Sequence, residues 1–252
     1  QMPSLLRLSI ALLGTGLVAA CTTQNTSLHK DLSQRAERQL PRRILLAQPD
    51  IRVHEVSAFD LVEKVDEWGD RASNEAAKSV ELLAQSTHLF ETVRPSQLSN
   101  AERATLDQYG ALYALVAGSA DRALNSRFEA WSKRAADFDY TLGPGMAGVA
   151  ESAKLDAVIF VVGTDYIASS GRKALIAFTL LFAIKNNNAP GTSPAFLSAG
   201  VVDMRTGELL WYGTEVRSGS DDLRDPKVMR DIVKDLFKTY PGATKTVDAN
   251  KK

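Results

Sequence analysis

A run of five consecutive apolar residues, VIFVV at positions 158–162, constrains the fold more than any other feature of the chain. Four of the five are β-branched, a side-chain type that favours strands. A strand without polar alternation is buried on both faces, so other elements must cover the two sides of its sheet. The run therefore predicts a strand in the interior of a sheet.

The patterns on either side of this strand predict a single α/β domain with a mixed β-sheet and packed helices. Apolar residues at spacings of three and four indicate helices, and the Arg205-Thr206-Gly207 turn between two apolar runs indicates a hairpin. The predicted order is β-α-β-α-β-β-β-α. The strands are predicted at 44–47 and 51–56, 90–93, 158–162, 196–204 and 208–216, and the helices at 65–86, from 100, up to 154 and from 225.

Residues 1–20 predict a secretory signal rather than a membrane-spanning helix. One basic residue, Arg7, precedes the apolar run LSIALLGTGL, and two alanines then precede Cys21, the only cysteine in the chain. A basic start, a short apolar stretch and small residues at the cleavage site are typical of such signals. With one cysteine, neither a disulfide nor a cysteine cluster for a metal is available within the chain.

The residues around this cysteine, LVAAC at 17–21, resemble the lipobox of bacterial lipoproteins, with Val18 where that motif usually has leucine. The resemblance implies that Cys21 is acylated, with palmitate among its chains, and anchors the mature protein in a membrane. Thr22 and Thr23 stand where an aspartate commonly marks inner-membrane retention. The resemblance therefore implies an outer-membrane lipoprotein on the periplasmic face.

The chain is expected to divide into four parts. A signal peptide at 1–20 precedes the lipidated cysteine and a tether at 21–42, which the polar run TTQNTS predicts to be flexible. An α/β periplasmic domain follows at 43–241. Pro241 and Gly242 end the last helix, so a disordered tail is predicted at 242–252.

Four segments of the predicted domain, FDYTLGPG, DAVIFVVGTDYIASSGRKAL, VDMRTGELLW and DLRDP, resemble a family of bacterial lipoproteins without assigned activity. The resemblance covers about 43–241. In element order the chain is also similar, more distantly, to the N-terminal domain of the Tol translocation protein, the lipoprotein activator of penicillin-binding proteins and the curli-secretion lipoprotein. This resemblance implies an envelope protein and transfers no catalytic residue.

The sequence contains no pattern typical of catalysis, cofactor binding or metal binding. Its 30 basic and 30 acidic residues cancel, which argues against a nucleic-acid partner. His29, His54 and His88 lack the paired spacing of zinc ligands. The segment GPGMAG at 143–148 matches a dinucleotide pattern, but no strand precedes it and Pro144 removes an amide, so a turn entering a short helix is predicted.

An apolar segment at 174–184, ALIAFTLLFAI, lies between basic residues. As a helix it is about 17 Å long, shorter than the roughly 30 Å of a bilayer core. The favoured interpretation is a buried crossover between the third and fourth strands, and insertion into a membrane surface is the alternative.

These features lead to three functional hypotheses. The first is a binding or assembly factor that recognises an envelope protein, with contacts at Leu180, Leu181, Phe182, Trp211 and Tyr212. The second is a self-assembling secretion-channel subunit that places 174–184 in the membrane. The third is a hydrolase of peptidoglycan or polysaccharide, which requires that carboxylates at strand ends converge. The candidates for it are Asp156, Asp165, Asp203 and Glu215.

Overall fold

The predicted interior strand belongs to a twelve-residue strand, β6, that pairs along both of its edges. The structure, a computed structural model, describes residues 22–29, 32, 40–125, 133, 135–174, 194–217 and 221–243. The strands are β1 (Thr22–Leu28), β2 (Arg43–Leu46), β3 (Asp50–Val56), β4 (Val62–Lys64), β5 (Glu91–Val93), β6 (Ala157–Ala168), β7 (Ala195–Asp203) and β8 (Leu209–Arg217). The helices are α1 (Asp66–Thr87), α2 (Asn100–Asn125), α3 (Ala147–Ala153) and α4 (Pro226–Phe237), with a 3₁₀ turn at Pro95–Gln97.

The eight strands form one mixed sheet, which confirms the predicted fold class. On one edge of β6, β2 pairs in parallel with residues 157–159 and β3 pairs in parallel with residues 162–168. On the other edge β7, β8 and β1 follow in antiparallel order. β5 lies parallel to β2, and β4 lies antiparallel to β3.

The sheet separates two hydrophobic cores. Ile159 and Val161 of β6 point into a core that also contains residues of α1 and α4, which we call the α1–α4 core. Val158 and Phe160 point into the opposite core, which contains residues of α2 and α3 and is called the α2–α3 core. Because successive residues of a strand face opposite sides, the VIFVV run supplies both cores, as its pattern predicts.

Within the predicted tether, residues 22–28 form the strand β1, so the polar run that was expected to be flexible is part of the sheet. β1 pairs with β8 along its whole length, from Thr22 opposite Arg217 to Leu28 opposite Trp211. Two of its side chains also reach the helices, since Gln24 donates to the carbonyl oxygen of Asp235 (2.7 Å) and Asn25 donates to Oδ1 of Asn125 (2.7 Å). An edge strand is held mainly by backbone hydrogen bonds, so a polar run such as TTQNTS can form one.

Because of the strand directions, several strands begin or end at the same end of the sheet, which we call the Thr22 end. β1 begins there, β3 and β6 end there, and β7 begins there because it runs antiparallel to β6. The described chain leaves this end after Ala174 and returns at Pro194.

Candidate functional site

Most of the predicted contact and lipidation residues lie outside the described part of the chain. These are Cys21, Leu180, Leu181 and Phe182. Of the apolar segment, the structure describes only Ala174, which is exposed at the Thr22 end. Among the described helices, none has the length and apolar character needed to cross a membrane.

The two predicted contact aromatics, Trp211 and Tyr212, are buried, so the prediction that they form an exposed surface is wrong. Trp211 packs against Phe237 of α4 with ring centroids 4.8 Å apart. Tyr212 faces the other core, where its hydroxyl donates to the carbonyl oxygen of Ala117 (3.1 Å) and burial raises the pKa of that hydroxyl. The hairpin carries these rings inward because helices cover both faces of β8.

The four carboxylates predicted for a hydrolase do not converge. Asp203 lies opposite Ala157 and accepts from the backbone N–H groups of its own turn, whereas Asp165 is eight residues further along β6, about 26 Å away at strand spacing. Asp156, beside Asp203, accepts from the N–H groups of Arg42 and Arg43 at 2.9 and 3.0 Å.

The other two carboxylates are buried on the α1–α4 side. Asp165 accepts from the N–H of Leu223 at 2.9 Å, and burial raises its pKa. Burial also raises the pKa of Glu215, which accepts from Nε of Arg217 at 3.0 Å. Each of these carboxylates thus accepts hydrogen bonds that stabilise its own part of the fold. The distance between Asp165 and Asp203 excludes a catalytic cleft that contains both.

The remaining patterns singled out in the sequence are also structural. The 143–148 segment is a turn entering the seven-residue helix α3, as predicted. His54 stacks on Tyr166 with ring centroids 4.9 Å apart, His88 caps the end of α1, and His29 lies beside β8. In the described part of the chain no three His, Cys, Asp or Glu residues are grouped to hold a metal ion.

An open cleft of about 760 Å³ lies where β2 ends and β3 begins, between α1 and α2. Its floor is apolar and includes Leu106 and Phe160. Its rim is charged and carries two ion pairs, Arg52 with Asp50 (3.1 Å) and Lys64 with Asp66 (2.6 Å). The hydrogen bond from Lys64 lowers the pKa of Asp66. Clefts beyond the carboxyl ends of parallel strands are common binding sites. No motif in the sequence marks this one, so it could not be predicted.

A second missed feature is an apolar turn between β3 and β4. Phe59, Leu61 and Val62 are all exposed there. The only sequence signal is three large apolar residues shortly after β3, interrupted by Asp60, and in the sequence they resemble the continuation of a buried strand.

No protein-family profile and no curated protein sequence matches the chain. Among solved structures, the chain is similar to a PelC dodecamer from Paraburkholderia phytofirmans, with a TM-score of 0.36 and 8% identity over 86% of this chain and 95% of that one. A second crystal form, carrying a leucine-to-methionine substitution, has a TM-score of 0.35 and 10% identity over the same shares. Similarity of this degree transfers neither an assembly nor a ligand to this chain.

Proposed function

We propose that the chain is a lipid-anchored protein of the bacterial outer membrane whose domain binds an envelope partner in the periplasm and does no chemistry of its own. The observation that carries the proposal is the position of Cys21, the only cysteine, directly after the small residues that end the signal-like segment. Attachment through two or more acyl chains is stable, since each buried methylene contributes about 0.8 kcal/mol.

Mass spectrometry of the full chain expressed in a Gram-negative host tests the anchor. The first peptide of the mature protein is expected to begin at Cys21 and to carry the mass of a diacylglyceryl group and an amide-linked acyl chain. Cys21→Ser should lose these groups, whereas Thr22→Ser should keep them and remain in the outer-membrane fraction. An unmodified Cys21, or a native chain in the soluble fraction, would overturn the proposal.

The cleft between α1 and α2 is the surface that supports a binding role best. It combines an apolar floor with a charged rim, as binding sites for peptides and small ligands do. Ala111 lines it from α2, and Ala104 lies on the same helix, exposed and outside the lining. Substitution of each by glutamate therefore gives a matched pair, in which only the first change places a charge in the cleft.

Cross-linking and affinity purification from envelope extract compares these variants. The native chain and Ala104→Glu are expected to recover the same partner, and Ala111→Glu is expected to lose it. A further pair, Leu180→Glu and Leu181→Glu, tests the apolar segment in the same assay. Recovery of no specific partner by the native chain would contradict the binding role.

Self-assembly is the second candidate function, and the outer edge of β1 favours it. In the described part of the chain, β1 pairs with β8 and with no other strand, so its seven residues offer an unpaired backbone edge. Such an edge can pair with another chain. Large oligomers of the acylated full chain that persist in detergent are expected from this hypothesis, and a monomer in native mass spectrometry would exclude it.

A further inference from the structure

The turn that joins β3 to β4, together with the first residue of β4, exposes three large apolar side chains that are close together in the sequence. We call residues 57–62 the hairpin tip. Phe59 is 87% exposed, Leu61 70% and Val62 56%, which makes them the most exposed group of neighbouring apolar residues among those described. A cluster of this kind on a folded protein marks a surface that meets an apolar partner.

The hairpin tip holds this exposed arrangement through its own hydrogen bonds. Oγ of Ser57 accepts from the N–H groups of Phe59 (3.2 Å) and Leu61 (3.1 Å), and the N–H of Ser57 donates to the carbonyl oxygen of Leu61 (2.9 Å). Arg172 donates to the carbonyl oxygen of Ser57 (3.2 Å) and forms an ion pair with Asp60. The charge of Asp60 is thus paired, while Phe59 and Leu61 on either side of it stay exposed.

The position of the hairpin tip relates it to the anchor. Cross-strand register puts Thr22 at the level of Val53 in β3. β3 continues past that level to Val56 before the turn, so the tip extends about 13 Å beyond Thr22 at the same end of the sheet. Since β1 begins at Thr22, directly after Cys21 in the chain, no tether separates a lipid on Cys21 from this end.

From this arrangement we propose that the hairpin tip is a membrane-docking element, which inserts Phe59 and Leu61 into the interfacial layer of the bilayer that holds the acyl chains of Cys21. The inference rests on the proposed lipid anchor. The anchor makes the contact intramolecular, so a few apolar side chains are enough to keep the tip in the membrane. Docking sets the orientation of the domain, with the Thr22 end facing the lipid and the opposite end of the sheet facing the periplasm.

Site-specific fluorescence on the acylated full chain tests the inference. Once Cys21 carries lipid, a cysteine introduced at position 59 is the only free thiol, so Phe59→Cys can be labelled with an environment-sensitive dye. Leu82→Cys is the matched control, because Leu82 is also a large exposed apolar residue but lies near the end of α1, close to the start of β5 and away from the Thr22 end. Both proteins are reconstituted in vesicles of phosphatidylethanolamine and phosphatidylglycerol with and without brominated lipid.

The dye at position 59 is expected to shift to the blue on reconstitution and to be quenched several-fold more by brominated lipid than the dye at position 82. Adding Leu61→Asp to the Phe59→Cys protein should reduce both effects. If the vesicles float with the protein but the two dyes are quenched equally, docking is overturned and the anchor stands. If the native chain still reacts with the dye at Cys21 and does not float with vesicles, the proposed anchor itself has failed.

Discussion

Two glycines meet where the β7–β8 turn touches the loop before α3. Gly207 has φ of 78°, and a Cβ atom there would lie 2.1 Å from the carbonyl oxygen of Gly143. The same contact carries a hydrogen bond from the N–H of Leu142 to the carbonyl oxygen of Gly207 (2.8 Å). Any other residue at position 207 must therefore adopt a left-handed backbone conformation. Its Cβ atom must also push the loop at Gly143 away from the turn.

Gly207→Ala is expected to lower the free energy of unfolding by about 2 kcal/mol or more, because strain and the clash act together. Gly118→Ala is the control, since Gly118 lies in α2 and a methyl group there would meet no atom of another element within 4 Å. This variant should gain up to about 1 kcal/mol from helix propensity. Urea unfolding measures both, and equal stability of the two variants would contradict the argument.

The buried carboxyl of Asp165 predicts a pH effect on stability. Its pKa is raised by burial, so the folded chain keeps this proton to a higher pH than the unfolded chain does. The stability that this group contributes is complete below its unfolded pKa, about 3.9, and is lost as pH rises through the folded value. Asp165→Asn keeps an oxygen for the N–H of Leu223 but cannot ionise.

Relative to the native chain, Asp165→Asn should therefore become progressively more stable as the pH rises through the range above about 4, toward the raised pKa of the folded chain. Asp165→Ala leaves the buried N–H of Leu223 without its acceptor and should be less stable than Asp165→Asn by about 1–3 kcal/mol throughout. Urea titrations across this range provide the comparison. Parallel pH profiles for the native chain and Asp165→Asn would show that the carboxyl does not titrate differently on folding.

At the scale of elements, helix α4 begins with two start signals, a capping aspartate and a proline. Oδ1 of Asp225 accepts from the N–H groups of Lys227 (2.7 Å) and Val228 (3.0 Å), and Pro226 occupies the first helical position. These bonds lower the pKa of Asp225. The cap matters to the whole fold because α4 packs on α1 and on Trp211.

Asp225→Ala is expected to cost about 1 kcal/mol of unfolding free energy, whereas Asp225→Ser, which can accept the same bonds, should cost only a fraction of that. Thermal unfolding followed by circular dichroism compares the two. An equal loss for alanine and serine would mean that the cap bonds do not stabilise α4.

Elements with a marked apolar pattern, whether a continuous run or a periodic one, could be predicted from the sequence, whereas elements held by backbone pairing alone could not. The VIFVV run, the β7–β8 hairpin and α4 all carry such patterns, and the structure confirms them. β1 has the sequence TTQNTSL, and β4 has only three residues, all exposed. Such edge strands are specified by the neighbour that they pair with, which a linear pattern does not contain.

Burial of the candidate contact residues could not be predicted from the sequence either. A tryptophan and a tyrosine on a hairpin resemble an exposed aromatic pair, but Trp211 and Tyr212 are buried because α4 and α2 cover the two faces of β8. Phe59 and Leu61 resemble core residues and are exposed because their strand ends just before them. Burial in each case depends on the packing of distant elements rather than on residue type.

At the scale of the whole molecule, one sheet forms the wall between the two cores. β8 contributes Trp211 to the α1–α4 core and the adjacent Tyr212 to the α2–α3 core. Loss of packing in either core therefore acts on the same strand, and through it on β1 and β7. This connection predicts that the domain unfolds as one cooperative unit.

Trp211→Ala should lower the free energy of unfolding by about 3–5 kcal/mol, and Leu106→Ala, in the other core, by about 2–5 kcal/mol. The exposed Leu82→Ala is the control and should change it by less than about 0.5 kcal/mol. In each variant, urea transitions followed by far-ultraviolet circular dichroism and by tyrosine fluorescence should coincide and keep the slope of the native chain. If Trp211→Ala instead gives two separate transitions, the α2–α3 core folds without the α1–α4 core, and the sheet does not couple them.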